Sequence, residues 1–381
     1  MNQNVQAHSG QILKILGKQK AVIAIVAIFF LMMFPDTSFY TTANLFNLME
    51  AVSTNAIIAF GVTFAVICKG CDLSVGSVMA MSGIVAILLI NEGMTTAFAS
   101  TYSIFAGIIL CVVLAIVLVK KGLRKLYAVL LAIGAGVILR ILVFEMLMII
   151  PMNMAIAIAL AILAGTIVGF FNGFLIVHQK TEAFIITLGM GMLIQGVALM
   201  LTDAVNVSAR NPDFQRIAND NWLFIPNIAA FMIILLVLTF LLLRFTNFGR
   251  NVYALGGDYE VAEHSGINVV RTKWIAFVIT GTFAAIAGIL AASRMNTGMP
   301  IAGVEIPLMV NCGVVLGGTS FAGGVGGAFR SFIGIFLLFL ISNSLGMLGI
   351  EPFQQQLVRG IIIVLIISLD CFAIKRRKEA V

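Results

Sequence analysis

The sequence predicts an all-α membrane protein: a polytopic bundle of about ten to twelve transmembrane helices in a single domain over residues 1–381. Hydrophobic residues make up 61% of the chain and charged residues only 10%, against about 25% charged in a soluble domain. The mean hydropathy is +1.11. In lipid, the backbone polar groups of a span must pair within the protein, so the apolar segments are expected to be helices.

Apolar segments that are long enough to cross about 30 Å of hydrocarbon recur from end to end of the chain. They cover residues 21–35, 47–68, 73–91, 101–119, 126–150, 154–177, 183–202, 223–243, 274–293, 304–322, 328–349 and 355–374. The join Lys69-Gly70-Cys71-Asp72 is very short, and the tenth segment is rich in glycine. These two features predict broken or re-entrant segments near residues 68–76 and 304–327.

The distribution of basic residues predicts the orientation. Lys14, Lys18 and Lys20 precede the first span without a small-residue cleavage site, which predicts a retained anchor and a cytoplasmic amino terminus at residues 1–20. Counting spans from there places four more regions in the cytoplasm: the basic turn 120–125, His178 with Lys180, the loop 244–273 and the carboxyl terminus 375–381. The net charge of +7 is explained by this topology and by anionic lipid headgroups, without nucleic acid.

Residues 249–268 form a polar island with the signals of a short helix. Asp258 is suited to be the N-cap, Glu260 places a negative charge in the first turn, His264 lies near the end, and Gly266 suits the left-handed C′ position. These signals predict about two turns of helix, roughly 12 Å long. Such a helix either docks into a partner or is an ordinary capped loop.

In the docking interpretation, apolar and acidic side chains of this helix have different tasks. Tyr259, Val261 and Ala262 fill a groove on the partner, while Glu260 and Glu263 meet basic residues there. The spacing alone favours a capped loop helix over a docking helix.

The sequence contains no nucleotide, metal or catalytic motif. The glycine run 317–327 lacks the lysine of a phosphate-binding loop and is better explained by close helix packing, as is Gly165-x-x-x-Gly169. Cys68-x-x-Cys71 has no second pair of cysteines, and the three histidines are far apart, so free thiols and no metal site are expected.

Ionisable residues inside the spans are too few for the acid relay of a proton-driven carrier. Neutral polar side chains are more frequent there, and they either contact a polyhydroxylated solute or form interhelical hydrogen bonds. Asp72 either caps freed amides at Ser74 or Val75, or is simply a charge at the end of a span. The candidate pathway and gate residues are Asn55, Asp72, Ser74, Asn172, Thr187, Gln195, Asn296, Asn311, Thr319 and Asn343.

Several segments, in the same order, resemble the permease subunits of ABC importers of the ribose, xylose and galactose type. Residues 71–77, Cys-Asp-Leu-Ser-Val-Gly-Ser, are similar to the family's Asp-Leu-Ser-Val-Gly-Ser segment. Further similar segments are Phe171-Asn172-Gly173, residues 183–189, the Ala262-x-x-Ser265-Gly266-Ile267-Asn268 loop and residues 314–320 followed by Gly323-Gly324. The resemblance covers residues 45–91 and about 150–374 and departs at roughly 95–150.

This resemblance implies a non-enzymatic permease subunit in the bacterial cytoplasmic (inner) membrane that imports a monosaccharide, either a pentose or a hexose. Its implied partners are a second permease copy (a homodimer or a close paralogue), a tandem-domain ATPase on the cytoplasmic face, and an extracytoplasmic sugar-binding protein. The chain itself needs no cofactor, since ATP and Mg²⁺ belong to the ATPase.

The resemblance also implies that the helix in the 244–273 loop couples the chain to the ATPase. The coupling residues are Asp258, Tyr259, Glu260, Ala262, Glu263, His264, Ser265 and Gly266. A secondary sugar carrier driven by an ion gradient is the alternative.

Overall fold

A computed structural model describes residues 20–32, 37–92, parts of 103–119, 125–149, 153–222 and 224–379. Nearly all secondary structure in these residues is helical, which confirms the predicted all-α fold. Residues 1–19 and 120–124, which carry much of the predicted cytoplasmic charge, lie outside the described residues, as do parts of the fourth predicted span.

The helices follow the predicted spans closely, with short additional elements between them. They are α1 (Lys20–Leu31), α2 (Thr42–Ile67), α3 (Val75–Glu92), α4 (Lys125–Ile149), α5 (Met154–Gln179), α6 (Ala183–Thr202), α7 (Pro212–Asn219), α8 (Asn227–Phe245), α9 (Asn247–Gly257), α10 (Tyr259–His264), α11 (Val269–Met295), α12 (Ile306–Leu316), α13 (Ala328–Met347) and α14 (Pro352–Glu379), with a 3₁₀ turn at Thr37–Tyr40. Strands β1 (Val207–Ser208) and β4 (Thr297–Gly298) pair antiparallel, as do β2 (Asn221–Trp222) and β3 (Ile225–Pro226).

By length and composition, α2, α5, α6, α8, α11 and α13 can cross a membrane, and shorter apolar helices accompany them. The tenth predicted span, 304–322, is wrong as a full crossing because α12 has only 11 residues, or about 16 Å of helix. The predicted break in this segment is confirmed, since non-helical residues connect β4 to α12.

Helix α11 lies at the centre of the bundle and packs against α2, α3 and α5. Small residues permit the crossing with α5. A Cβ added to Gly169 would overlap the carbonyl oxygen of Phe277, and one added to Gly165 would overlap the side chain of Ala285. The prediction that these glycines mark a close helix crossing is therefore confirmed.

The glycine run 317–327 has two structural roles rather than the single packing role predicted for it. A Cβ on Gly317 would overlap the carbonyl oxygen of Arg330, so Gly317 permits α12 to pack against α13. Gly318 meets only the Arg330 side chain, at 3.9 Å, but has a φ of +101°, a conformation that L side chains rarely adopt. Gly318 thus ends α12 through its backbone conformation.

The bundle has two distinct ends. We call the end that carries α9 and α10 the inner end, because it contains the predicted cytoplasmic loop 244–273, and the opposite end the outer end. At the outer end, Asn91 Nδ2 donates to the carbonyl oxygen of Ser208 at 2.8 Å, which ties α3 to β1. Arg216 forms exposed ion pairs with Asp213 at 3.3 Å and with Asp220 at 3.5 Å, so opposite charges of this loop lie next to each other.

This arrangement predicts opposite accessibility at two exposed positions. A cysteine introduced at Asp213 is expected to react with a membrane-impermeant thiol reagent in sealed cells, since that side chain is 62% exposed at the outer end. A cysteine at the exposed Glu263 is expected to react only after the membrane is permeabilised. Labelling is scored against the unmodified chain, and reaction of both cysteines in sealed cells would refute the orientation.

Candidate functional site

The polypeptide between α2 and α3 is not helical, and apart from the exposed Lys69 it is buried or partly buried. Helix α2 ends at Ile67 and α3 begins at Val75, and we call the intervening residues Cys68–Ser74 the broken join. Lys69 has a left-handed backbone conformation, and the amide of Gly70 donates to the carbonyl oxygen of Ala65 at 2.8 Å. Because Asp72 is only 1% exposed, the join is not a surface turn, and the predicted break near 68–76 is confirmed.

Asp72 organises the end of the broken join. Its Oδ1 accepts hydrogen bonds from the Ser74 amide at 2.8 Å and from the Ser74 hydroxyl at 2.7 Å. One of the amides freed by the break is thereby satisfied. Of the two interpretations of Asp72, the capping one is confirmed, at Ser74 rather than Val75.

Three polar side chains from other helices hold the same segment. Asn172 of α5 donates through Nδ2 to the Ser74 hydroxyl at 2.8 Å, and Asn311 of α12 donates to the Asp72 carbonyl oxygen at 3.1 Å. The Thr187 hydroxyl of α6 accepts from the Leu73 amide at 3.0 Å and lies 3.2 Å from the Cys71 carbonyl oxygen. The structure thus brings together five of the predicted pathway residues: Asp72, Ser74, Asn172, Thr187 and Asn311. We call them the polar cluster.

The polar cluster contains acceptors that the protein does not use. Asp72 Oδ2, Asn172 Oδ1 and Asn311 Oδ1 are buried and have no hydrogen-bond partner among the described residues. Leaving a buried acceptor unpaired costs about 1–3 kcal/mol, so three in one cluster are unfavourable unless donors reach them. Hydroxyl groups of a neutral solute, or water, can supply such donors.

Three other predicted pathway residues lie away from the cluster and make hydrogen bonds within the bundle. Asn296 is the left-handed C-cap of α11 at the outer end. Asn343 and Asn44 exchange hydrogen bonds at 2.8 and 3.2 Å between α13 and α2. The Thr319 hydroxyl lies 3.4 Å from that of Ser331.

The last two predicted pathway residues, Asn55 and Gln195, have different surroundings. Asn55 donates to the Ala51 carbonyl oxygen on its own helix at 3.1 Å, and its Oδ1 is buried without a partner among the described residues. Gln195 is half-buried on α6, two turns beyond Thr187. Thr63 was not among the predicted residues, although its hydroxyl lies 2.6 Å from that of Ser331. Its polar side chain within an apolar span was the feature from which it could have been predicted.

The polar island contains two helices. Thr246 caps α9, which the sequence analysis did not predict, by accepting from the Gly249 amide at 3.1 Å. For α10, the predicted caps are confirmed: Asp258 Oδ1 accepts from the Val261 amide at 3.0 Å, and Gly266 has a φ of +80°. With 6 residues, α10 is slightly shorter than the two turns predicted.

One side of α10 packs against the chain and the other is exposed. Ala262, only 3% exposed, packs in a cluster with Phe64, Ile67, Leu255 and Val269, so the prediction that Ala262 reaches out into a partner's groove is wrong. The exposed face of α10 consists of Asp258, Tyr259, Glu260, Val261, Glu263 and His264, and Ser265 and Gly266 after it are exposed as well. Val261, at 62% exposure, is the apolar residue that protrudes most.

Helix α9 contacts the start of the broken join directly. The amide of Gly324 donates to the carbonyl oxygen of Ile67 at 3.0 Å, and a Cβ on Gly256 would overlap backbone atoms of both residues. Nearby, Lys69 Nζ donates to the Gly257 carbonyl oxygen at 3.3 Å. We call the contact of Ile67, Gly256 and Gly324 the inner joint; it connects α9 to the segment that ends in the polar cluster.

Comparison with known proteins agrees with this architecture. The family model for the permease component of the branched-chain amino acid transport system matches residues 140–367. The chain belongs to this family. It is therefore a transport subunit rather than an enzyme, and a multi-pass protein of the inner membrane.

Similar members of this permease family extend over nearly the whole chain. The ribose import permease protein of Bacillus subtilis (strain 168) is 32% identical over 91% of this chain and 88% of its own. The ribose import permease protein of Escherichia coli (strain K12) is 29% identical over 93% of this chain and 94% of its own length. The D-allose transport system permease protein of the same organism is 28% identical over 92% of this chain and 89% of its own length. No solved structure matches the chain significantly.

Proposed function

We propose that the chain carries a monosaccharide across the inner membrane as the permease subunit of an ATP-driven importer. Its relatives are named for ribose and D-allose, a pentose and a hexose, so the substrate belongs to that class. The observation that carries the proposal is the broken join. It is lined by the polar cluster and, at its start, contacts the inner helix pair α9–α10.

The polar cluster suits a hydroxyl-rich, uncharged solute. The three unpaired acceptors on Asp72, Asn172 and Asn311 can receive hydrogen bonds from sugar hydroxyls when the bundle opens around the join. Non-helical backbone at membrane depth occurs where it is buried in protein or lines a protein-walled path. Between β4 and α12, Pro300 and Gly303 are buried, and Gly303 packs so closely against α3 that a Cβ on Gly76 would overlap its carbonyl oxygen.

Coupling to ATP hydrolysis is assigned to the exposed face of α10. Tyr259 and Val261 present apolar surface between the carboxylates of Glu260 and Glu263, which fits an apolar groove with a basic rim on a tandem-domain ATPase. ATP and Mg²⁺ are bound by that ATPase. A second permease copy completes the path, and an extracytoplasmic binding protein delivers the sugar to the outer end.

Uptake by purified components tests the proposed function. Proteoliposomes that contain the permease, its ATPase and internal ATP are expected to accumulate labelled sugar only when loaded binding protein is present outside. Vesicles with the permease alone and a proton or sodium gradient are the control. Accumulation in those vesicles would instead identify an ion-driven carrier.

A pair of neighbouring substitutions tests the coupling surface. Val261→Lys is expected to leave the permease folded, because the side chain is 62% exposed, but to weaken ATPase binding and uptake by burying an ammonium at the interface. Ala262→Lys is expected to reduce the amount of folded permease, since it places the charge in the chain's own core. Pull-down of the ATPase and melting of the permease are measured on the same preparations.

The matched control is Val205→Lys, which changes a side chain of equal exposure, 61%, at the outer end. It is expected to bind the ATPase normally. If Val261→Lys also binds the ATPase normally, α10 is only a capped loop and the docking surface lies elsewhere.

A further inference from the structure

A cavity at the inner end has no part in the pathway described above. Its volume is about 630 Å³, and it lies between α8, α9 and the start of α13. Three arginines line it: Arg244 from the last turn of α8, Arg250 from α9 and Arg330 from α13. The hydroxyl of Tyr253, also in the wall, donates to the carbonyl oxygen of Gly326 at 3.0 Å and joins two sides of the cavity.

Within the part of the chain that the structure describes, no carboxylate neutralises the positive charge of this cavity. Among the described residues, none of the three arginines forms an ion pair. Arg250 donates to Asn247 Oδ1 and Arg330 to the Gly318 carbonyl oxygen, both of which are neutral acceptors. Gly327 and Ala328 place the uncapped amino terminus of α13 in the same wall, which adds the positive end of a helix dipole. The cavity is therefore built for an anion, and guanidinium groups favour phosphate.

The surroundings of the cavity point to a phosphate that belongs to a lipid. Phe240 and Phe329 line it with ring centroids 5.5 Å apart and are 38% and 51% exposed. Phe240 lies on α8, the most hydropathic of the candidate spans, one turn before Arg244. An apolar wall thus continues from the arginines along a helix that spans the bilayer, and basic pockets between helices at the cytoplasmic surface are typical sites for anionic headgroups.

We propose that this cavity binds the phosphate headgroup of an anionic phospholipid of the inner leaflet, with an acyl chain along Phe240 and Phe329. A lipid bound there contacts α8, α9 and α13 at once. It stabilises the position of α9, and with it the contact of α9 with the inner joint.

The test uses the purified full-length permease in a neutral detergent. Phosphatidylglycerol is expected to raise the melting temperature in a saturable manner and to remain bound in native mass spectrometry, while phosphatidylcholine does neither. In the triple variant Arg244→Gln/Arg250→Gln/Arg330→Gln, the affinity for phosphatidylglycerol is expected to fall on the order of 100-fold, about a factor of five for each cationic side chain lost. Arg271→Gln, which removes one exposed arginine of the inner end outside the cavity, is the control for a change of surface charge and should bind as the parent does.

Two further measurements distinguish a lipid from a free phosphate compound. Inorganic phosphate and glycerol phosphate should give no saturable shift, because they do not engage the apolar wall; a full shift with either would overturn the lipid assignment. Unchanged phosphatidylglycerol binding by the triple variant would also overturn the lipid assignment. The same holds for a triple variant that still binds phosphatidylglycerol but no longer binds the ATPase. If the triple variant does not fold, the exposed single change Arg250→Gln serves instead, with a smaller loss of about fivefold expected.

Discussion

Alanine at position 256 is expected to abolish most uptake, whereas alanine at position 257 is not. A Cβ on Gly256 would overlap the carbonyl oxygen of Ile67 and the amide nitrogen of Gly324. Both atoms belong to the backbone, so no side-chain rotation relieves the overlap, and α9 must move away from the broken join. Overpacking of this kind typically costs about 1–3 kcal/mol, and displacement of α9 at the inner joint is expected to reduce uptake by roughly tenfold or more.

The neighbouring glycine provides the control. Apart from its chain neighbours and the backbone of its own helix, no heavy atom lies within 4 Å of a Cβ added to Gly257, so Gly257→Ala should keep the melting temperature and the uptake of the parent. Both quantities are measured on one preparation of each variant. A Gly256→Ala permease with parental uptake would show that α9 is not mechanically connected to the pathway.

Removing the Asp72 carboxylate is expected to have the other large effect. In Asp72→Ala, the Ser74 amide and hydroxyl lose their shared acceptor inside the protein, where no water replaces it readily. An unsatisfied buried donor costs about 1–3 kcal/mol, and Asp72→Ala leaves two of them on Ser74. We expect a lower melting temperature, less folded permease and no measurable uptake.

The conservative change Asp72→Asn separates the cap from the charge. Asparagine retains an oxygen at the Oδ1 position, so folding should be largely restored. Asp213→Ala, which removes an exposed carboxylate at the outer end, should change stability by no more than about 0.5 kcal/mol. If Asp72→Ala melts and transports like the parent, the capping bonds do not hold the join.

The short-range features of this chain were predictable. Asp258 and Gly266 cap α10 through atoms a few residues away, so the sequence contains all the partners that the motif needs. The break after Ile67 was predictable for a similar reason, since a charged residue and a glycine interrupt an apolar run.

The contacts of the polar cluster could not be predicted from the sequence. Asn172, Thr187 and Asn311 lie on three different helices, 98 to 239 positions from the residues of the join that they contact. The predicted pathway residues also included Asn296 and Asn343, which make capping and interhelical bonds instead. The residue type cannot distinguish the two groups, because asparagines next to apolar segments occur in both.

By itself, the sequence determined that this protein is a helical membrane bundle, which segments form most of its helices, and where α10 begins and ends. These properties depend on the transfer of apolar segments into lipid and on hydrogen bonds between near neighbours, both of which are local. Only the tertiary structure decided that Ala262 faces inward, that Gly256 must lack a side chain and that five polar residues meet at the join. Those properties depend on which helix surfaces pack together, and packing joins residues that are distant in the chain.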